Sequence, residues 1–267
     1  MAHEPRGQAV ESPAEIYERH MVPAIFAAWV PPLLDLAAPK PGERVLDVAC
    51  GTGAVARQAA SRVGAKGRVV GLDFNAHMLA VGRALSSAVD WREGNAVALP
   101  FAAGEFDVVV CQQGLQFFPD SGGALREAHR VLVPGGRLAV AVWCGIESSP
   151  GHHALAQSLE RHVGAQAAAL MYAVFRLGDA GALRALLESA GFREIHARRE
   201  KRLARFPSPE HFTRWVVTGS VLGRTGVQVR DEALDAIIRE VGAALQPYVG
   251  ADGLAFPLEA HLAAART

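Results

Sequence analysis

The sequence predicts an α/β fold built on a doubly wound, mainly parallel sheet. Three observations carry this. Short β-branched and apolar runs alternate with helical stretches from residue 44 to residue 143. Residues 106–111 are apolar almost throughout, as in a strand covered on both faces. The first run ends in a glycine-rich turn, Cys50-Gly51-Thr52-Gly53, that opens a helix. Composition agrees: of 267 residues half are hydrophobic and a fifth charged, enough for a core burying roughly three quarters of the unfolded surface.

In chain order, residues 16–38 read as helical on Ile16, Met21, Ile25, Trp29 and Leu33, broken into pieces by Pro23, Pro31 and Pro32. After the turn Lys40-Pro41-Gly42, residues 44–49 form the first strand and 54–62 a helix. Residues 67–73 form a second strand ended by an acid, 76–87 a helix, 89–93 a third strand and 106–111 a fourth. A helix at 122–133 leads through Pro134-Gly135-Gly136, read as a turn, into a fifth strand at 137–143. Beyond it, 152–166 and 180–190 read as helices, 192–205 as one or two strands, and 209–222 and 231–245 as helices. Residues 254–262 alternate like a last strand, in which Pro257 favours an edge or a bulge. No linker divides the chain. It reads as one domain over 1–267: an N-terminal helical lid at 1–38, a core at 39–144, and a second half at 145–267 with a helical cap at about 207–247.

Charge narrows the partners. The 27 basic residues balance 27 acidic ones, so phosphate-driven affinity is small and nucleic acid is not an expected partner. The basic run at 193–205 is interleaved with Glu194 and Glu200 and reads as a solvated strand face. No apolar run reads as a membrane span, and residues 1–13 hold no signal-peptide core. A cytoplasmic protein without a membrane partner is expected. Cys50, Cys111 and Cys144 are an odd, widely spaced set without C-x-x-C, so neither a disulfide framework nor a metal site is expected.

Gly51-Thr52-Gly53-Ala54-Val55-Ala56 satisfies G-x-G-x-x-G/A between a strand and a helix, and Asp73 lies 22 residues past Gly51 at the end of the next strand. The pattern fits an adenosine-type cofactor whose ribose hydroxyls meet the acid. It leaves two cofactors open. NAD places a pyrophosphate on the loop. S-adenosylmethionine places an ammonium there, which Asp47, four residues before Gly51, is suited to hold. Asp47 could equally cap a helix or brace the loop.

The chain resembles the class I S-adenosylmethionine-dependent methyltransferases, in particular the branch around the ubiquinone/menaquinone-biosynthesis enzymes. The resemblance lies in VLDVACGTG (45–53), GLDFNAHM (71–78), EGNAVALPF (93–101), FDVVVC (106–111) and REAHRVLVPGG (126–136). It implies a Rossmann-like sheet of about seven strands, mostly parallel with an antiparallel C-terminal strand, and S-adenosyl-L-methionine as cofactor. It further implies that Asp47, Ala49, Gly51, Thr52 and Gly53 surround the methionine half, that Asp73 binds the ribose, and that Phe74 and Met78 lie against the adenine. Gly94, Asn95 and Ala96 match a Gly-Asp-Ala segment whose acid takes the adenine amino group. Asn95 departs from that pattern and offers an uncharged oxygen instead. Gln112 and Gln113 would border the sulfonium and the substrate mouth, and Tyr17, in a piece resembling the lid of related enzymes, would close over the cofactor.

The activity this implies is in-line methyl transfer to a small acceptor, apolar or aromatic, at oxygen or carbon. A base is needed only if the acceptor must lose a proton; the candidates are Tyr17, His20 and His152. Phe117 and Trp215 are candidates for the acceptor pocket, with Val216, Val221 and Leu222 of the cap facing the site or the core. The alternatives are an NAD-dependent oxidoreductase and an S-adenosylmethionine-binding protein that does not methylate.

Overall fold

The computed structural model describes residues 11–219 and 229–267. Val221 and Leu222 lie outside the described residues. Eight strands form one sheet: β1 (Arg44–Val48), β2 (Arg68–Asp73), β3 (Asp90–Glu93), β4 (Phe106–Gln112), β5 (Leu132–Trp143), β6 (Arg193–Phe206), β7 (Val249–Gly250) and β8 (Gly253–Arg266). Their order is β3-β2-β1-β4-β5-β8-β6, with β7 beside β8. The first five pair in parallel, and β8 runs antiparallel to both β5 and β6. This is the doubly wound sheet with antiparallel C-terminal pairing that the sequence predicts.

The side-chain period of two splits each strand between two cores. Val45, Val69, Val108, Val110 and Ala139 join one core with the N-terminal helices and the helix Pro150–His162. Leu46, Val48, Val70, Val109 and Val140 join the other with the helices Ser121–Val131 and Ala180–Ser189. Because both faces are covered at the centre of the sheet, Val108–Cys111 of β4 is apolar throughout rather than alternating.

Four details differ from the sequence reading. β5 begins at Leu132, opposite Phe106; Pro134-Gly135-Gly136 bulges out and pairing resumes between Arg137 and Val108. Residues 193–206 are one strand, not two. Pro257 falls where β8 has outrun β5, whose pairing ends at Trp143 opposite Ala260, so only β6 lies beside it. A helix at Ala165–Ala173 went unread because its apolar residues have almost no helical periodicity.

The run Pro13–Ala37 is long and apolar enough to cross a membrane by length and composition, which corrects the reading that no such stretch exists. In the fold its Trp29, Val30, Leu33, Leu34 and Ala37 are completely buried against the sheet. Residues Tyr17–Phe26 of this run form a wider π-type helix containing Pro23. Proline lacks the N–H for an α-turn and clashes with the carbonyl four residues back; the wider turn relieves both.

Beneath the glycine turn, the Trp91 indole fills a slot cut by three glycines. A Cβ on Gly53 would lie 2.1 Å from the ring, on Gly82 2.7 Å, and on Gly71 3.1 Å. Gly53 also has φ +86°. Its missing side chain is therefore required by Trp91, not by a ligand. Gly53→Ala should cost on the order of 3 kcal/mol, from overpacking and left-handed strain. Adding Trp91→Leu should recover the packing share but not the strain, as read by denaturant unfolding.

Candidate functional site

β1 pairs with β2 on one side and β4 on the other, so the chain reverses direction across the sheet at the end of β1. Ligands of such sheets sit outside the strand ends at this point. A cavity of about 950 Å³ lies there, between the strand-end loops and the N-terminal helices. That is near the upper end of the ligand-site range, roughly 300–1,000 Å³.

One end of the cavity is polar and carries Ala49, Gly51, Asp73, Phe74, Asn75, Met78, Gly94, Asn95 and Ala96. Asp73 accepts hydrogen bonds from the backbone N–H groups of Gly51 at 2.8 Å and Asn75 at 2.9 Å. It thereby ties the β1 and β2 loops together in the cavity wall. Phe74 is 72% exposed at the rim, while Met78 is buried beneath it. The Asn95 side-chain oxygen accepts the Val97 N–H at 3.1 Å, leaving a second lone pair. The Tyr17 ring covers the glycine loop; a Cβ on Gly51 would lie 3.6 Å from it.

The other end is apolar. Met21, Ile25, Phe26, Phe117, Trp143 and Val174 line it, with Val216 from the helix Pro209–Gly219. Gln112 and Gln113, at the end of β4, stand between the two ends. His152 is the titratable wall residue at the apolar end. Its Nδ1 lies 2.7 Å from Ser149 Oγ, and Phe175 and Phe212 pack edge-on against its ring. Burial pulls its pKa down to about 4, so it is neutral at neutral pH.

Five residues singled out in the sequence lie elsewhere. Asp47 is buried below the loop and accepts the Ala56 N–H at 2.9 Å, capping the helix Ala54–Val63. Its carboxylate braces the turn. Burial, with the nearby Asp73 charge, pushes its pKa up to about 8. Thr52 donates to Glu18 of the lid, and Arg57 bonds both Glu18 and the Thr52 carbonyl. This group clamps the lid to the loop. Gly53 meets Trp91, as described above. His20 stacks on Trp215 with ring centroids 4.1 Å apart. That pair borders a separate shallow depression with Arg205 and Pro207, outside the main cavity.

Met21, Ile25, Phe26, Trp143, Met171 and Val174 were not read as site residues. The spacing of 17, 21 and 25 puts three of the lid's lining residues on one helical face, which could have revealed them. Trp143, Met171 and Val174 carry no local signal. All three cysteines are buried, and burial pushes Cys111 up to about 12 and Cys144 up to about 11. They stay protonated and unreactive. Among the described residues no cluster of His, Cys, Asp or Glu could hold a metal ion.

Residues 17–200 match the model of the ubiE/COQ5 methyltransferase family. Over 102 residues the chain is 47% identical to a 2-phytyl-1,4-naphtoquinone methyltransferase of Thermosynechococcus vestitus, covering 37% of this chain and 45% of that one. Over 143 residues it is 41% identical to the ubiquinone/menaquinone biosynthesis C-methyltransferase UbiE of Stenotrophomonas maltophilia, covering 50% and 56%. The chain spans about half the length of the curated relatives it matches. A Bacillus halodurans protein assigned to the methyltransferases shares the fold with a TM-score of 0.59 at 25% identity, covering 90% of this chain and 98% of that one.

The Asp47 environment gives a pH test. Its folded pKa stands above the ordinary 3.8, so ionising it costs the folded state. That cost is absent below pH 3.8 and complete above about 8. Asp47→Asn keeps an acceptor for the Ala56 N–H and removes the charge. Its melting temperature relative to the parent should climb between about pH 4 and pH 8. A difference that stays flat would mean that Asp47 is ionised throughout.

Proposed function

Since the chain belongs to the ubiE/COQ5 methyltransferase family, we propose that it transfers a methyl group from S-adenosylmethionine to a small quinone-type acceptor, apolar or aromatic, at carbon or oxygen. The observation that carries this reading is the division of one cavity into a polar strand-end part and an apolar chamber. The quinone class rests on the names of the two relatives and agrees with the uncharged chamber.

The residues fit the cofactor. Asp73 lines the cavity at the end of β2, the place where an acid meets ribose hydroxyls in such sheets. Phe74 offers an exposed ring face to an adenine. Asn95 offers its second lone pair to the adenine amino group. Tyr17 closes over Gly51 and excludes water from the loop. When bound, S-adenosylmethionine supplies a methyl group already activated by its sulfonium. The chain's own residues then have three tasks: hold, align and dehydrate. Met21, Ile25, Phe26 and Trp143 enclose the acceptor ring. Ser149 Oγ and His152 Nδ1 share a hydrogen bond that fixes the ring in the wall. With its pKa pulled down to about 4 by burial, His152 is a weak base there. Asp47 does not line the cavity, so the choice of this cofactor over NAD is supported by family membership.

Thermal unfolding separates this from the alternatives. S-adenosylmethionine or S-adenosylhomocysteine at a hundredfold over Kd should raise the melting temperature by about 5–10 °C. NAD should not. Stabilisation by NAD alone would support an oxidoreductase. Cofactor binding without passage of a labelled methyl group to any quinol offered would support a non-methylating protein. Phe74→Ala should weaken S-adenosylhomocysteine by roughly two- to tenfold, from loss of ring stacking. The fold should be unaffected, since Phe74 is exposed.

A further inference from the structure

Two residues at the junction of β1 and β4 hold a backbone that L-residues avoid: Ala49 at φ +56° and Gln113 at φ +55°. They are held close by Gly114, where a Cβ would come within 2.7 Å of the Ala49 Cβ and 2.9 Å of Cys111 Sγ. The Gln113 N–H is tied to the Ala141 carbonyl on β5 at 2.8 Å, so the sheet fixes the strained turn. The turn presents the Gln113 side chain to the cavity wall. This side chain is 5% exposed, yet neither its Nε2 nor its Oε1 has a hydrogen-bond partner. Burying an unpaired amide costs roughly 1–3 kcal/mol, and the strained backbone adds roughly 1–2 kcal/mol. A residue held at such a cost points to a ligand.

Gln112 beside it behaves differently. Its Nε2 donates to the Phe26 carbonyl at 3.1 Å and is committed to the lid. Only Oε1 is left without a partner. Gln113 has both a donor and an acceptor in reserve in the cavity wall; Gln116, whose amide is likewise unpartnered, does not line the cavity.

We propose that Gln113 grips the hydroxyl of the methyl acceptor and determines which acceptors are taken. This rests on the methyltransferase reading above. A phenolic hydroxyl donates and accepts at the same time. It can give its proton to Gln113 Oε1 while receiving a hydrogen bond from Nε2. An uncharged amide suits a neutral phenol or quinol. It disfavours a carboxylate, whose desolvation it cannot offset and which the nearby Asp73 would repel. Of the two places the resemblance gives Gln113, beside the sulfonium and at the substrate mouth, the proposal commits it to the second.

The test compares two neutral probes of equal shape, 1-naphthol and 1-methylnaphthalene, by equilibrium binding with and without S-adenosylhomocysteine. The parent should prefer the naphthol by roughly tenfold or more. Gln113→Leu should lose this preference while its affinity for S-adenosylhomocysteine stays within about twofold. Its unliganded melting temperature should be at or above the parent's, since an orphaned amide has been removed. Gln113→Gly adopts the same φ without strain, and its loss of the preference would show that the effect does not come from misfolding of the leucine variant. Three results would each overturn the assignment: the preference surviving in both variants, S-adenosylhomocysteine affinity falling with the substitution, or a parent that binds neither probe. If the parent prefers the naphthol and the variants do not, but S-adenosylhomocysteine fails to bind any of them, Gln113 still binds a hydroxyl, while the cofactor reading falls and with it the identity of that hydroxyl's owner as a methyl acceptor.

Discussion

The N-terminal helical run lies across the ends of β1 and β4, and the cavity has walls because of it. Three links hold it down. Glu18 takes the Thr52 hydroxyl and the Arg57 guanidinium. Gln112 donates to the Phe26 carbonyl. Trp29 packs edge-on against Trp143 at 5.6 Å. The widened turn around Pro23 lets one segment do two jobs. Its front half presents Tyr17, Met21 and Ile25 to the cavity, and its back half buries Trp29, Val30, Leu33 and Leu34 in the sheet's core.

Two carboxylates on neighbouring strands show how position decides chemistry. Asp47 sits one layer below the loop, dehydrated, and braces the helix that follows. Asp73 sits at the loop's surface, accepts two backbone N–H groups and faces open space. The sequence places both near a glycine turn, and only the depth of the strand end separates their roles. The same depth silences the thiols: Cys50, Cys111 and Cys144 all lie at strand ends, and burial raises all three.

The charge balance of the chain is realised locally. The basic run on β6 is not an open patch. Arg198 and Arg202 both pair with Glu200, Arg199 pairs with Glu259 on β8, and Arg202 also lies over the Trp29 ring. At the cavity, by contrast, charge is confined to the polar end. The apolar end offers only neutral polar groups, from Gln113 and His152. A chamber of that kind discriminates by shape and hydrogen bonding rather than by charge.

The sequence by itself determined the sheet, its parallel half and the polar end of the cavity. Strand periodicity, the glycine turn and the acid at the end of β2 are local signals, and each acts within a few residues of where it is written. It also placed Gln112 and Gln113 at the right strand end. Tertiary structure decided the rest. Whether Asp47, Thr52 and Gly53 meet a ligand, a lid or an indole depends on what other segments bring to them. Trp91 comes from 38 residues downstream of Gly53 and Glu18 from 34 residues before Thr52. His152 reaches the cavity and His20 does not, although both sit on helices. The apolar chamber is assembled from the lid, β5 and two later helices. Its lining is nonlocal, and no window of the chain contains it.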